Sequence, residues 1–196
     1  KAGSGLLELR GANTYTGFTQ VNAGTLVIGS ADAIPSGSHV ILNTGTLAVW
    51  DRDLTFSSDL TSIAASNFSV GTGRTVTQSS SSNIAGVSLT KTGNGVLDFR
   101  AQNVFVSEFV VAAGGIRTGV ANAGSRLSTL NLGAGTRFDL NNLATTWGGL
   151  TGSGDIFSAT GTPTLNVGFN NADTTFTGRF MRFNDAALGQ INKIGT

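Results

Sequence analysis

Few side chains in this sequence could move a proton or hold a metal. The 196-residue chain has one histidine, His39, eleven Asp and Glu, and no cysteine. Without cysteine there is no disulfide, no thiolate nucleophile and no Cys-based zinc site. A Ser–His–Asp relay would have to run through His39 with a nucleophile close in space. No Gly-x-Ser-x-Gly elbow is present to supply one. His39 falls on the side opposite Val40 and Leu42, so it reads as a surface residue. The densest acidic site is Asp51-Arg52-Asp53, with Asp59 nearby in sequence. Clustered carboxylates do acid–base work in glycan-cleaving enzymes, but a solvated turn after a strand is the favoured reading of this one. Gly152–Phe157, "GSGDIF", faintly resembles a glycine-rich calcium loop but lacks the tandem repetition of such sites. Thr-x-Thr pairs occur at Thr14/Thr16, Thr44/Thr46, Thr75/Thr77, Thr160/Thr162 and Thr175/Thr177. Regular threonine ladders bind ice in some solenoids, but these spacings are irregular and read as ordinary strand and turn threonine. No catalytic residue, metal ligand or cofactor is therefore expected.

Residues this sparse in chemistry turn attention to the framework. Charged residues make up only 12% of the chain, while 39% are hydrophobic, enough for a core but unlike disorder. Runs of Val, Ile, Phe and Thr broken by Gly, Asn and Ser have the composition of short strands. A net charge of +1 argues against a nucleic-acid surface. No apolar run is long enough to span a membrane. The sequence shows no initiator Met, signal peptide or lipidation motif, so it reads as part of something longer. The lack of thiols fits a chain exported unfolded.

The sequence matches itself at an offset of 90. Between 1–29 and 91–119 the identical pairs are Lys1/Lys91, Gly3/Gly93, Gly5/Gly95, Leu7/Leu97, Arg10/Arg100, Asn13/Asn103, Val21/Val111, Ala23/Ala113, Gly24/Gly114 and Gly29/Gly119. The match runs on through Ser38/Ser128, Leu42/Leu132, Gly45/Gly135 and Thr46/Thr136. "INKIGT" at 191–196 resembles "LTKTGN" at 89–94. The expected organisation is one β-helix fragment over 1–196, with units 1–90 and 91–192 and a third unit beginning at Lys193.

Aligned pairs also predict which way side chains point. Leu7 and Leu9 align with Leu97 and Phe99 and are expected inward; Glu8 and Arg10, aligned with Asp98 and Arg100, outward. Ala48 and Trp50 align with Phe138 and Leu140 and are expected inward, leaving Leu47 and Val49 outward. Two-residue hairpin signals are scarce, with no Asp-Gly and a single Asn-Gly, at Asn94-Gly95. A stack of coils, each of 20–25 residues, is the better account, and eight or nine coils would fill the chain. Gly3/Gly5 and Gly93/Gly95 read as corners. Asn13 and Asn103 are candidates for turns or for bonding to stacked neighbours.

The stretch at 1–29 resembles the autotransporter-associated β-strand repeat, also called the passenger-associated transport repeat. Lys1, Gly3, Gly5, Leu7, Leu9, Gly11, Asn13, Thr14, Tyr15, Thr16, Gly17, Thr19, Val21, Gly24, Thr25 and Leu26 match its pattern. A degenerate second copy keeps Lys91, Gly93, Gly95, Leu97, Asn103, Val111 and Gly114 but replaces Thr14-Tyr15-Thr16-Gly17 with Val104-Phe105-Val106-Ser107. The resemblance implies an all-β, right-handed parallel β-helix passenger, exported through an outer membrane to the cell surface. It implies no enzymatic activity. Three roles follow as expectations: a rigid stalk or adhesin segment, a self-assembling filament or matrix unit, and, least favoured, a carbohydrate-active enzyme. Expected partners are neighbouring β-helical units, further copies of the chain, and a surface glycan or protein receptor. No nucleic acid is expected to bind, and this segment is not expected to insert into a membrane.

Overall fold

Inward-facing Leu, Val, Ile and Phe at every second strand position can be buried only if each short strand is covered by others. A computed structural model, which describes residues 1–84, 87–182 and 189–196, shows how this is done. The described residues form strands and turns with no helix, hence none long and apolar enough to cross a membrane. The chain winds as a parallel β-helix of about eight turns with three faces. The first face stacks Leu6–Leu9, Thr25–Ile28, Thr46–Val49, Ser66–Val70, Leu89–Thr92, Glu108–Val111, Thr129–Leu132 and Gly149–Gly152. The second runs from Leu54–Phe56 through Thr75–Gln78, Val96–Phe99, Gly115–Thr118, Arg137–Asp139 and Asp155–Ser158 to Arg179–Arg182.

The third face is in two parts. Thr19–Val21, Val40–Leu42, Leu60–Ser62, Ser82–Ile84 and Val104–Phe105 form one sheet; Ala144–Trp147, Thr164–Val167 and Gln190–Lys193 form the other. Between them the chain at 119–128 crosses the face as a loop. Pairing is parallel throughout, with one turn taking 19 residues from Leu6 to Thr25 and 23 from Asn67 to Thr90. Strands about 4.8 Å apart make the eight-strand face about 34 Å long.

Side chains stack in rows along the axis. Leu7, Leu26, Leu47 and Phe68 stand in register on the first face. Phe105 stacks on Phe109, centroids 5.1 Å apart, and Trp147 packs near both. Each such buried side chain contributes about 1.5–3 kcal/mol of burial free energy.

Three inside–outside expectations need correcting. Leu47 and Val49 lie in the core, while Trp50 is 44% exposed and donates its indole N–H to Ser69 Oγ at 3.3 Å. Thr25 pairs with Thr46, 21 residues on, but its sequence counterpart Gly115 pairs with Arg137, 22 on. The turn before Arg137 is thus one residue longer than the turn before Thr46. A one-residue slip exchanges the two faces of a strand, so the gapless alignment reversed Leu47, Val49 and Trp50, while Ala48 is buried as expected. Leu7, although in register with Leu26, is 43% exposed, because its strand is the sheet edge and is covered on one side only. Asp98 is only 2% exposed, since Arg100 folds over it with Nε 2.9 Å from its carboxylate.

The sequence-matched strands also occupy different faces. Leu6–Leu9 is on the first face and Val96–Phe99 on the second; Thr19–Val21 is on the third and Glu108–Val111 on the first. An offset of 90 residues therefore advances four coils plus one face.

Candidate functional site

The residues of the repeat gather at the corners. Lys91 belongs to the inward row, in register with Phe68 on one side and Val111 on the other. Its side chain is 0% exposed. From there Nζ donates to the carbonyls of Thr92 (2.9 Å), Gly93 (2.7 Å) and Ala113 (2.9 Å). A buried ammonium must be compensated by partners of this kind. Burial pushes its pKa down to about 8 from 10.5. The turn carbonyls can face inward because Gly93 sits at φ 71°, a region where a side chain is strained.

The same cradle recurs at Lys1, whose Nζ meets the carbonyls of Ala2, Gly3 and Ala23, with Gly3 at φ 77°. Lys193 donates to Ile194, Gly195 and Thr196, all in its own turn. Gly24 and Gly114, both at φ 68°, press against the backbone of Gly5 and Gly95, where any Cβ would collide. Val21, Leu97 and Val111 are buried in the core.

Asn13 and Asn103 form the second kind of corner. Asn13 Nδ2 donates to Gly11 O (3.2 Å) and to Ala33 O (2.8 Å) in the next coil. Asn103 repeats this with Ala101 O (3.1 Å) and Ala123 O (2.8 Å). Neither is in the left-handed region, which is occupied instead by Asn122, Asn141, Asn142, Asn171 and Thr44. Nor do they bond to a stacked asparagine; that arrangement links Asn192 to Asn166 at 2.9 Å. Asn103 does more than Asn13, for its Oδ1 also accepts from Ser82 N (3.0 Å) and Gln78 Nε2 (3.1 Å) inside the coil. Gln78 and Ser82 were not singled out by sequence because they lie outside the repeat match. Tyr15 is exposed, its hydroxyl bonded to Thr19 Oγ1, and Gly17 is exposed beside it.

The residues with catalytic potential are dispersed. His39 is exposed and its Nε2 bonds Thr61 Oγ1 at 2.8 Å. Asp51 pairs with Arg52 at 3.1 Å and faces Arg10 at 3.8 Å; the hydrogen bond from Arg52 holds its carboxyl below the usual range. Asp53 Oδ1 accepts the backbone N–H of Thr75 at 2.8 Å, closing the turn in the next coil. Asp155, in the glycine-rich stretch, is engaged by both arms of the Arg179 guanidinium at 2.9 Å, which lowers its pKa. Among the described residues no three His, Asp or Glu side chains converge as a metal site would require. The Thr-x-Thr pairs do not form one rank: Thr46 lies on the first face and Thr75 on the second.

One concavity adjoins the Asn103 corner. Where the 119–128 loop crosses the third face, an open groove of about 590 Å³ is lined by Gln102, Val104, Asn122, Arg126, Thr146 and Phe169, among others. Sequence reasoning passed over it because its residues come from separate coils and, Asn103 apart, match nothing in residues 1–90.

Comparison with known families gives one match. Residues 1–28 match the family described as Passenger-associated-transport-repeat. No curated protein and no solved structure matches the chain. The matched segment contains the Lys1 cradle, the Asn13 corner and the first two strands of the eight-strand face. A passenger repeat within a parallel β-helix suggests an autotransporter passenger and implies secretion or surface display.

Proposed function

We propose that the chain is a non-catalytic, rigid segment of a secreted passenger, displayed on the outer face of a Gram-negative-type outer membrane. It acts there as a stalk or adhesive spacer. The observation carrying this reading is that the strongest polar arrangements, the Lys91 cradle and the Asn103 network, join one coil to the next. Each side chain donates within its own turn and to one carbonyl about 20 residues onward, so both fasten a coil to the next and neither presents a reactive group to a substrate.

The test is surface display of the chain in tandem copies between an outer-membrane anchor and a distal epitope. The epitope should become accessible to antibody on intact cells. Its height above the membrane should grow by about 34 Å or slightly more per copy, as the stacking of strands requires. An epitope that stays inside the cell, or a height that does not grow with copy number, would contradict the proposal.

A further inference from the structure

The open groove on the third face has a chemistry of its own. Arg126 is exposed and its guanidinium carbon lies 4.9 Å from the centroid of the Phe169 ring. No ion pair to Arg126 is found among the described residues, unlike Arg10, Arg52, Arg100, Arg117 and Arg179. No Asp or Glu is among the residues lining the groove.

A guanidinium lying over an aromatic ring is attracted by the ring's face. Its N–H groups are then directed around the edge of the ion, in the plane where a carboxylate accepts two of them side by side. Phe169 is 43% exposed and so serves as a platform that holds Arg126 in place. The same groove is lined by the amides of Gln102 and Asn122, by Thr146, and by the exposed Val104. Amides and hydroxyls match sugar hydroxyls, and a small apolar patch matches the C–H face of a sugar ring.

We infer that this groove binds an acidic saccharide, with Arg126 receiving the carboxylate of a uronic acid and Phe169 positioning Arg126. The inference goes beyond the spacer proposal and does not depend on it: the groove would take its ligand whether or not the segment is displayed as a stalk. The position of Arg126 in the first unit is held by Ser36, that of Asn122 by Asp32 and that of Gln102 by Ala12. The binding chemistry therefore belongs to the second unit alone, as expected of a ligand site placed on a repeating frame.

Isothermal titration calorimetry of the chain with a glucuronate-containing tetrasaccharide tests this. Binding should weaken with added salt and disappear with the methyl-esterified tetrasaccharide. Arg126→Gln should reduce affinity about 10- to 100-fold, the expected worth of a hydrogen bond to a charged group. Phe169→Leu should weaken binding by a smaller factor, and Arg74→Gln, at an exposed arginine away from the groove, should leave it unchanged. Equal melting temperatures of the variants confirm that their folds are intact. No binding by the wild-type chain, equal binding of acid and ester, or unaltered binding by Arg126→Gln would each overturn the assignment. Preference for a sulfated neutral saccharide over the uronate would overturn the choice of carboxylate.

Discussion

Lys91 Nζ donates to the main-chain carbonyl of Ala113, 2.9 Å away and 22 residues later in the chain. The bond cannot form until the following coil is laid down, so the lysine reports on correct stacking of its neighbour. The inward row in which Lys91 stands is otherwise apolar on both sides, with Phe68 and Val111 in register. One ammonium has taken a core position and is compensated there by three carbonyls.

Lys91→Met should therefore destabilise the chain by about 1–3 kcal/mol at pH 7, because buried carbonyls lose their donor while the volume is kept. Lys193→Met, at an exposed corner, should change stability by less than about 0.5 kcal/mol. Urea unfolding of both variants decides this. A Lys91→Met protein as stable as wild type would show that the cradle contributes nothing.

The same lysine gives a pH dependence whose sign is fixed. Burial holds its pKa down to about 8 in the folded chain, against the ordinary 10.5. Between those values the unfolded chain keeps a proton that the folded chain has released, so stability rises with pH across the window. The contribution is lost as pH falls through about 8. The stability gap between wild type and Lys91→Met should therefore be wider at pH 10 than at pH 7.5. A gap that narrows would indicate that the three carbonyls outweigh burial and raise the pKa instead.

The two asparagine corners should differ. Asn103 fills both its donor and its acceptor sites inside the coil, whereas the recorded bonds of Asn13 come from its Nδ2 alone. Asn103→Ala should cost about 2–4 kcal/mol, since it takes the acceptor from the buried Ser82 N–H and the donor from two carbonyls. Asn13→Ala should cost about half as much, at a half-buried site. Thermal melts of the two variants compare them directly.

Glycine at Gly114 is required twice over, by φ 68° and by the backbone of Gly95 against it. At Gly135, with φ 74° and open space around it, only the first reason applies. Gly135→Ala should cost about 1–2 kcal/mol, the penalty for a side chain in the left-handed region. Gly114→Ala should cost clearly more, because the rigid backbone beside it must move. Equal losses in chemical denaturation would disprove the steric part.

Much of this architecture was legible in the residues themselves. Alternation in short runs and the 90-residue self-match pointed to a parallel solenoid, and Leu97 and Phe99, expected inward, are buried. Residue-level direction failed where a single extra turn residue intervened. Leu47 and Trp50 were read the wrong way round because strand alternation has no tolerance for a slip of one. Lys91 was legible as a register mark but not as a core residue, since nothing in "LTKTGN" announces that a cation enters the inward row. The groove at Arg126 was out of reach for another reason: Gln102, Arg126 and Phe169 are brought together only by coil height, which depends on the length of every intervening turn.

The advance of four coils plus one face has a consequence for how such a column meets its surroundings. The chain at 29–38 passes along the side on which the second face later stacks, while its relative at 119–128 passes along the third. Related loops thus leave the axis at different azimuths, like treads on a spiral stair. A column built this way has no fixed front: whatever its loops carry is offered to partners approaching from several directions.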